Sequence, residues 1–140
     1  MKDRTFAIIK PDAVNNGHTG NIYDRIQKFN FKVIGAKLLR MTQEQAEGFY
    51  GVHKERSFFK DLIKFMTSGP CMVLTLEKEN AVQAWRNAIG STNPQEAEEG
   101  TLRKDFATNV QENAVHGSDS NENAQKEIAF FFLDSELLSN

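Results

Sequence analysis

Thr5-Phe6-Ala7-Ile8-Ile9-Lys10-Pro11-Asp12 is the stretch from which the fold can be read. Its four consecutive apolar residues predict a buried strand over residues 5–10, and Pro11-Asp12 punctuates the end. Lys10 then stands at the strand's mouth, where the sheet opens to solvent and where loops often line sites. Gly17-His18-Thr19-Gly20 reads as a turn, after which Ile22, Ile26 and Phe29 recur at helical spacing until Asn30 stops the helix. Residues 31–41, apolar and β-compatible, read as a long strand that completes a strand-helix-strand unit.

Beyond this unit, Thr42-Gln43-Glu44-Gln45 has the capping-box pattern and predicts a helix carrying Ala46, Phe49 and Tyr50. A further helix from about residue 58 puts Leu62, Phe65 and Met66 on one face and ends at Ser68-Gly69-Pro70. Residues 71–76 form a strand, and Asn80 caps a helix that carries Trp85 and Ile89 and stops at Gly90. Asn93-Pro94, three glutamates and Gly100 make residues 91–105 a long loop, and such loops are often functional. Residues 110–116 give a last short strand, and Asp119 or Ser120 caps a helix carrying Ala124, Ile128 and Phe131. This order predicts an α+β, ferredoxin-like sandwich: a four-stranded antiparallel sheet with helices packed on it.

With 140 residues and 39% hydrophobic content the chain is expected to form one domain over residues 1–140. That length buries roughly two-thirds of the unfolded surface. Its 17 basic and 19 acidic residues are well mixed and leave a net charge of -2, so any anion must be bound locally rather than by a global field. The single cysteine, Cys71, excludes an internal disulfide and reads as a buried small hydrophobe. Three scattered histidines leave no zinc-binding spacing; His18 reads as a turn residue and His53 as a helix-face residue. After Met1-Lys2-Asp3-Arg4 the apolar run is far too short for a signal peptide or a membrane span, so a reducing, cytoplasmic location is expected.

The chemistry centres on Asn113-Ala114-Val115-His116-Gly117-Ser118-Asp119-Ser120. A largely neutral imidazole offers one ring nitrogen as a nucleophile while the other is held by a hydrogen bond, as a covalent phosphate or acyl carrier requires. Glu127, eleven residues on, lies in the helix after the Gly-Ser-Asp turn and can reach back to fix the tautomer. There is no GxxxxGK[ST] and no GxGxxG, so phosphate binding would fall to side chains. The candidates are Lys10, Arg86, Thr92 and Arg103, and charge-assisted hydrogen bonds of about 1.5–3 kcal/mol each would hold a nucleotide tail. Phe58 and Phe59, beside Lys60, offer a stacking platform for a base or a pair of core residues, with one buried and one exposed expected.

These blocks, standing in order, resemble the nucleoside diphosphate kinase family. The resemblance runs from residues 5–12 through Arg56-Ser57-Phe58-Phe59, Ser68-Gly69-Pro70, Gly90-Ser91-Thr92-Asn93-Pro94 and Gly100-Thr101-Leu102-Arg103-Lys104-Asp105-Phe106 to residues 113–120 and Glu127. It covers essentially the whole chain. It implies ping-pong transfer of the γ-phosphate of a nucleoside triphosphate such as ATP or GTP to a nucleoside diphosphate, through a phosphohistidine on His116. Lys10 and Asn113 would contact the ribose hydroxyls, with Lys10 also near the transferred phosphate and Tyr50 close to the histidine. Arg86, Thr92 and Arg103 would hold the diphosphate, Phe58 would stack on the base, and Leu62 and Val110 would line the base's other side. Glu127 would orient the imidazole and Ser118 support the site. Mg2+ would bridge the phosphates without a direct protein ligand.

Three positions depart from the family pattern: Ser57 where proline is frequent, Trp85 where a small residue often precedes the arginine, and Lys104 where small residues also occur. None removes a proposed catalytic group. The chain stops soon after its last helix, without the longer tail that can brace subunit contacts in relatives. Assembly is expected to be a homo-oligomer of dimers, a hexamer or a tetramer, with the hexamer preferred. The alternative function is a nucleotide-binding regulatory module without turnover. A nucleic-acid surface of Phe58, Phe59, Lys60, Lys64 and Phe65 is improbable as the main role at this net charge.

Overall fold

In a computed structural model that describes residues 3–138, β1 (Asp3–Ile9) runs through the interior of a four-stranded sheet of order β2-β3-β1-β4. Met1 and Lys2, which open the stretch judged too short for a leader, lie outside the described residues. Every pairing is antiparallel: β1 with β3 (Cys71–Lys78) and with β4 (Val115–Gly117), and β2 (Lys32–Leu39) with β3. This is the ferredoxin-like arrangement that the element order predicted.

β1 reads as a continuous apolar run because both of its faces are covered. Ala7 and Ile9 join Leu74, Leu76, Trp85, Ile22 and Ile26 in one core. Phe6 and Ile8 join Val73, Met66, Ile128 and Phe131 in the other. Helices α2 (Thr19–Lys28) and α5 (Ala81–Ile89) supply the first layer, and α3 (Gln43–Phe49), α4 (Phe59–Met66) and α7 (Asn121–Phe131) the second. Among the described residues no helix is long and apolar enough to cross a membrane.

The capping box forms as expected: Thr42 Oγ1 accepts from the Gln45 amide at 3.0 Å, and Gln45 Oε1 accepts from the Thr42 amide at 2.9 Å. Ser120, rather than Asp119, caps α7. Elsewhere the structure corrects the reading. Pro11–Asn15 is a short helix, α1, begun by a proline whose missing N–H costs nothing at a first turn. The turn at residues 17–20 is shorter than predicted, because α2 already starts at Thr19. Asn80 precedes α5 in the left-handed region (φ 53°) with no side-chain cap, so it turns the chain instead of capping it.

The loop predicted over residues 91–105 contains α6 (Leu102–Phe106), capped by Thr101 Oγ1, which accepts from the Lys104 amide. A five-residue helix is too short to stand on local propensity. Leu102 is fully buried beneath it, and Arg25 of α2 grips it from outside, donating to Asp105 at 2.7 Å and to the Gly100 carbonyl at 2.6 Å. The last strand is only three residues long instead of spanning 110–116, because Ala114 has a positive φ of 73° and breaks the extended run.

Candidate active site

β4 places His116 opposite Ile8 of β1, and α7 returns across the sheet to bring Glu127 back to it. The His116 Nε2 lies 2.9 Å from Glu127 Oε1, both side chains being about one-fifth exposed. The same carboxylate oxygen accepts from Ser118 Oγ at 2.8 Å. Ser118 is itself fully buried and anchored to β1, its oxygen accepting the Phe6 amide at 3.3 Å. With Nε2 committed to the carboxylate as a donor, Nδ1 is the nitrogen left to react. Phe6 and Phe49 set their rings at 6.0 and 5.6 Å from the imidazole and confine its orientation.

Two cavities meet at His116, Gly117 and Asp119. One, of about 470 Å³, is bordered by Arg86, Thr92 and Arg103. The other, of about 370 Å³, is bordered by Phe49, Tyr50, His53, Lys126, Glu127 and Phe130. Arg86 and Arg103 therefore line one cavity with the histidine. Arg103 is 9% exposed and spends three donors on backbone: the carbonyls of Gly90 (3.0 Å), Asn113 (3.3 Å) and Val115 (2.8 Å). Of the five N–H donors of a guanidinium, two remain for an anion. Burial, and then the charge of Arg86, pull its pKa down to about 10. The two guanidiniums border one cavity and repel each other, and an anion between them would relieve that repulsion.

Lys10 follows β1 directly, and its Nζ donates to the Asn113 side chain at 2.9 Å. Burial, reinforced by Arg103 and opposed by Asp12, lowers its pKa to about 8. Tyr50 is buried beside the histidine, its hydroxyl without a hydrogen-bond partner among the described residues, and burial raises its pKa. Phe58, Leu62 and Val110 border neither cavity: Phe58 and Val110 are exposed, and Leu62 packs against the core. The Arg56 guanidinium lies 5.4 Å over the Phe58 ring, and His53 sits 5.5 Å from it. Phe59 and Phe65 pack against the core, so they do not join Phe58 in one surface platform. Cys71 is a buried free thiol, its pKa pushed up to about 12 by burial.

Two contributors escaped the sequence reading. Trp85 is fully buried, and its indole N–H donates to the His116 carbonyl at 3.0 Å. A Cβ on Gly117 would stand 2.7 Å from the Trp85 ring, so glycine is required where the chain passes the indole. Asp119 lines both cavities, and donation from the Asn123 side-chain Nδ2 holds its carboxyl below the usual range.

The family model for nucleoside diphosphate kinase matches residues 3–137. The chain belongs to the nucleoside diphosphate kinase family. Nucleoside diphosphate kinases of Geotalea uraniireducens (strain Rf4) and Geotalea daltonii are 56% and 54% identical to it over 136 residues, covering 97% of this chain and 99% of each relative. Among solved structures, the nucleoside diphosphate kinase of Aquifex aeolicus superposes with a TM-score of 0.96 at 42% identity, covering 99% of this chain and all of that one. A halophilic nucleoside diphosphate kinase from Halobacterium salinarum, in complex with CDP, gives 0.95 at 36% identity, covering 99% and 93%. Membership of the nucleoside diphosphate kinase family makes this chain a phosphotransferase.

Proposed function

We propose that the chain, as a single domain over residues 1–140, moves the γ-phosphate of a nucleoside triphosphate to a nucleoside diphosphate through a phosphohistidine on His116. The observation that carries this reading is the His116–Glu127 contact of 2.9 Å at the junction of two cavities, one of them walled by two arginines. Glu127 accepts the Nε2–H and leaves the Nδ1 lone pair to attack phosphorus. The N–P bond forms as the bond to the β-phosphate oxygen breaks, and the diphosphate leaves. The positive charge that develops on the ring faces the Glu127 carboxylate. A second diphosphate then attacks with its terminal oxygen, breaking the N–P bond and restoring the neutral imidazole. Such transfer asks the protein mainly for in-line positioning and for neutralising charge on the equatorial oxygens. Lys10, Arg86 and Arg103 provide the cations, and Thr92 a hydroxyl on the same wall.

Among the described residues no group of three His, Cys, Asp or Glu side chains could hold a metal unaided. A magnesium ion fits here as a partner of the nucleotide, held through phosphate oxygens, with Asp119 the carboxylate bordering the arginine-walled cavity. Bound there it would supply further charge neutralisation on the phosphates. A cytoplasmic location and a homo-oligomer built from dimers, hexamer or tetramer, complete the reading. The kinetic test varies donor and acceptor together: a covalent carrier gives parallel double-reciprocal lines, and lines that intersect contradict it.

Phe58, Leu62 and Val110 are proposed to receive the base, with Asn113 and Lys10 on the ribose. A base read by its face is read without identity, since every base has one. Phe58→Ala is expected to weaken ATP, GTP and thymidine triphosphate alike, by about 5- to 150-fold, as loss of roughly 1–3 kcal/mol of stacking requires. A loss confined to one base, in competition titrations, would count against stacking.

The Lys10 pKa of about 8 gives the affinity a pH dependence. Below that pH the ammonium is charged and attracts the nucleotide; above it the proton is lost. Apparent Kd for a nucleoside triphosphate is therefore expected to rise above pH 8, by up to about tenfold per pH unit. Calorimetric titration from pH 7 to 9.5 measures this rise, and Lys10→Met should bind more weakly at pH 7 and lose it.

A further inference from the structure

Two residues before the proposed nucleophile the backbone adopts a conformation that L-residues rarely take. Ala114 has φ 73°, and the Val115 amide donates across it to the Asn113 carbonyl at 2.9 Å. A hydrogen bond closing over one residue of positive φ is the strained form of the γ-turn. Such strain persists only where the surroundings over-determine it, and it gathers at functional sites. Here the surroundings come from one place. The Ala114 amide donates to Asp12 Oδ2 at 3.1 Å, and the Ala114 carbonyl accepts from the Lys10 amide at 2.8 Å. Both backbone polar groups of the strained residue are thus held by the junction of β1 and α1.

Asp12 is a poor choice for stability alone. It is 7% exposed, and its Oδ1 is buried with no hydrogen-bond partner among the described residues. Burial pushes its carboxyl pKa up, and the Ala114 amide and the Lys10 charge oppose that shift. The turn it grips separates Asn113, whose side chain holds the Lys10 ammonium, from His116, which pairs with Ile8. A change in that turn alters where the imidazole stands relative to Lys10.

We infer that Asp12 is a positioning residue for the phosphoryl transfer, its carboxylate clamping the Ala114 amide and so holding the γ-turn that sets His116 against Lys10 and Asn113. The inference rests on the reading of His116 as the nucleophile. Glycine tests it, because glycine takes a positive φ without the steric penalty of a Cβ and needs no clamp to stay there.

The experiment compares the full-length parent, Asp12→Asn, Asp12→Ala and Asp12→Ala/Ala114→Gly in single-turnover labelling by saturating γ-labelled ATP with magnesium, with folding checked by circular dichroism. Asp12→Ala is expected to lose about a hundredfold in labelling rate, the scale of a misplacement near 1 Å. Asp12→Asn, whose amide oxygen still accepts the Ala114 N–H, is expected to lose less than tenfold, and the double variant to recover at least tenfold over Asp12→Ala. A folded Asp12→Ala that labels at the parent rate overturns the clamp, as does a folded double variant no faster than Asp12→Ala. If Asp12→Ala does not fold, a double variant that folds and labels supports the clamp, and one that fails in either respect overturns it. A parent that takes no label at all overturns the proposed function instead, which keeps the two readings apart.

Discussion

Replacing His116 by alanine is expected to lower nucleotide exchange by at least about 10⁴-fold, because in the proposed mechanism this imidazole alone carries the phosphate from one nucleotide to the next. Glu127 and Ser118 would remain hydrogen-bonded to each other, and the arginine-walled cavity would be unchanged. Nucleotide affinity and thermal midpoint should therefore stay near those of the parent, which separates a lost nucleophile from a lost fold. A coupled exchange assay with ATP and a second nucleoside diphosphate reads the rate, and calorimetry the binding. Near-normal exchange by His116→Ala contradicts the covalent mechanism.

Arg103→Ala should produce the largest loss of stability together with a loss of activity. Its guanidinium satisfies the carbonyls of Gly90, Asn113 and Val115, tying the end of α5, the approach to the γ-turn and the start of β4 into one frame. Alanine leaves the Gly90 and Val115 carbonyls without their donor and the Asn113 carbonyl with the Val115 amide alone. Each buried acceptor left unpaired costs about 1–3 kcal/mol, and with incomplete additivity a total of about 3–5 kcal/mol is expected. That is a large share of the roughly 5–15 kcal/mol of a typical domain. Arg103→Lys should restore little, since one ammonium lacks the planar fork that reaches three separate carbonyls. Urea denaturation measures the loss; a variant within about 1 kcal/mol of the parent would show that water replaces the guanidinium.

What was legible in the sequence was what short-range chemistry controls. The run at residues 6–9 gave the interior strand, because burial on both faces leaves no polar alternation. Thr42 and Gln45 gave the start of α3, because a capping box is closed within four residues. Asn30 did stop α2, through a positive φ of 68°. Helix α6 was hidden because it owes its existence to Leu102 entering the core and to Arg25, which approaches from 75 to 80 residues away. The truncation of β4 was hidden because its cause, the backbone of Ala114, is held by a carboxylate 102 residues upstream.

The candidate site divides along the same line. His116, Ser118 and Glu127 stand close enough in sequence for a turn and one helix to bring them together, and the structure does so. Arg86, Thr92 and Arg103 were candidates as isolated side chains; their convergence on one cavity follows from α5 and α6 packing around the mouth of β4. Trp85 and Asp12 act through the backbone on either side of the histidine, and nothing in a residue type announces a bond to a distant carbonyl or amide. The one signal available for Trp85 was its size and its indole N–H, which usually finds a partner when buried.

A labelled-phosphate transfer tests the phosphohistidine on His116 most directly. The protein is mixed with magnesium and ATP labelled at the γ-phosphate, freed of nucleotide, and then given unlabelled GDP or thymidine diphosphate. The prediction is an acid-labile, alkali-stable label on the protein, absent from His116→Ala, that passes wholly to either diphosphate. Folded protein that binds ATP but takes no label would contradict the phosphohistidine and leave a nucleotide-binding module without turnover.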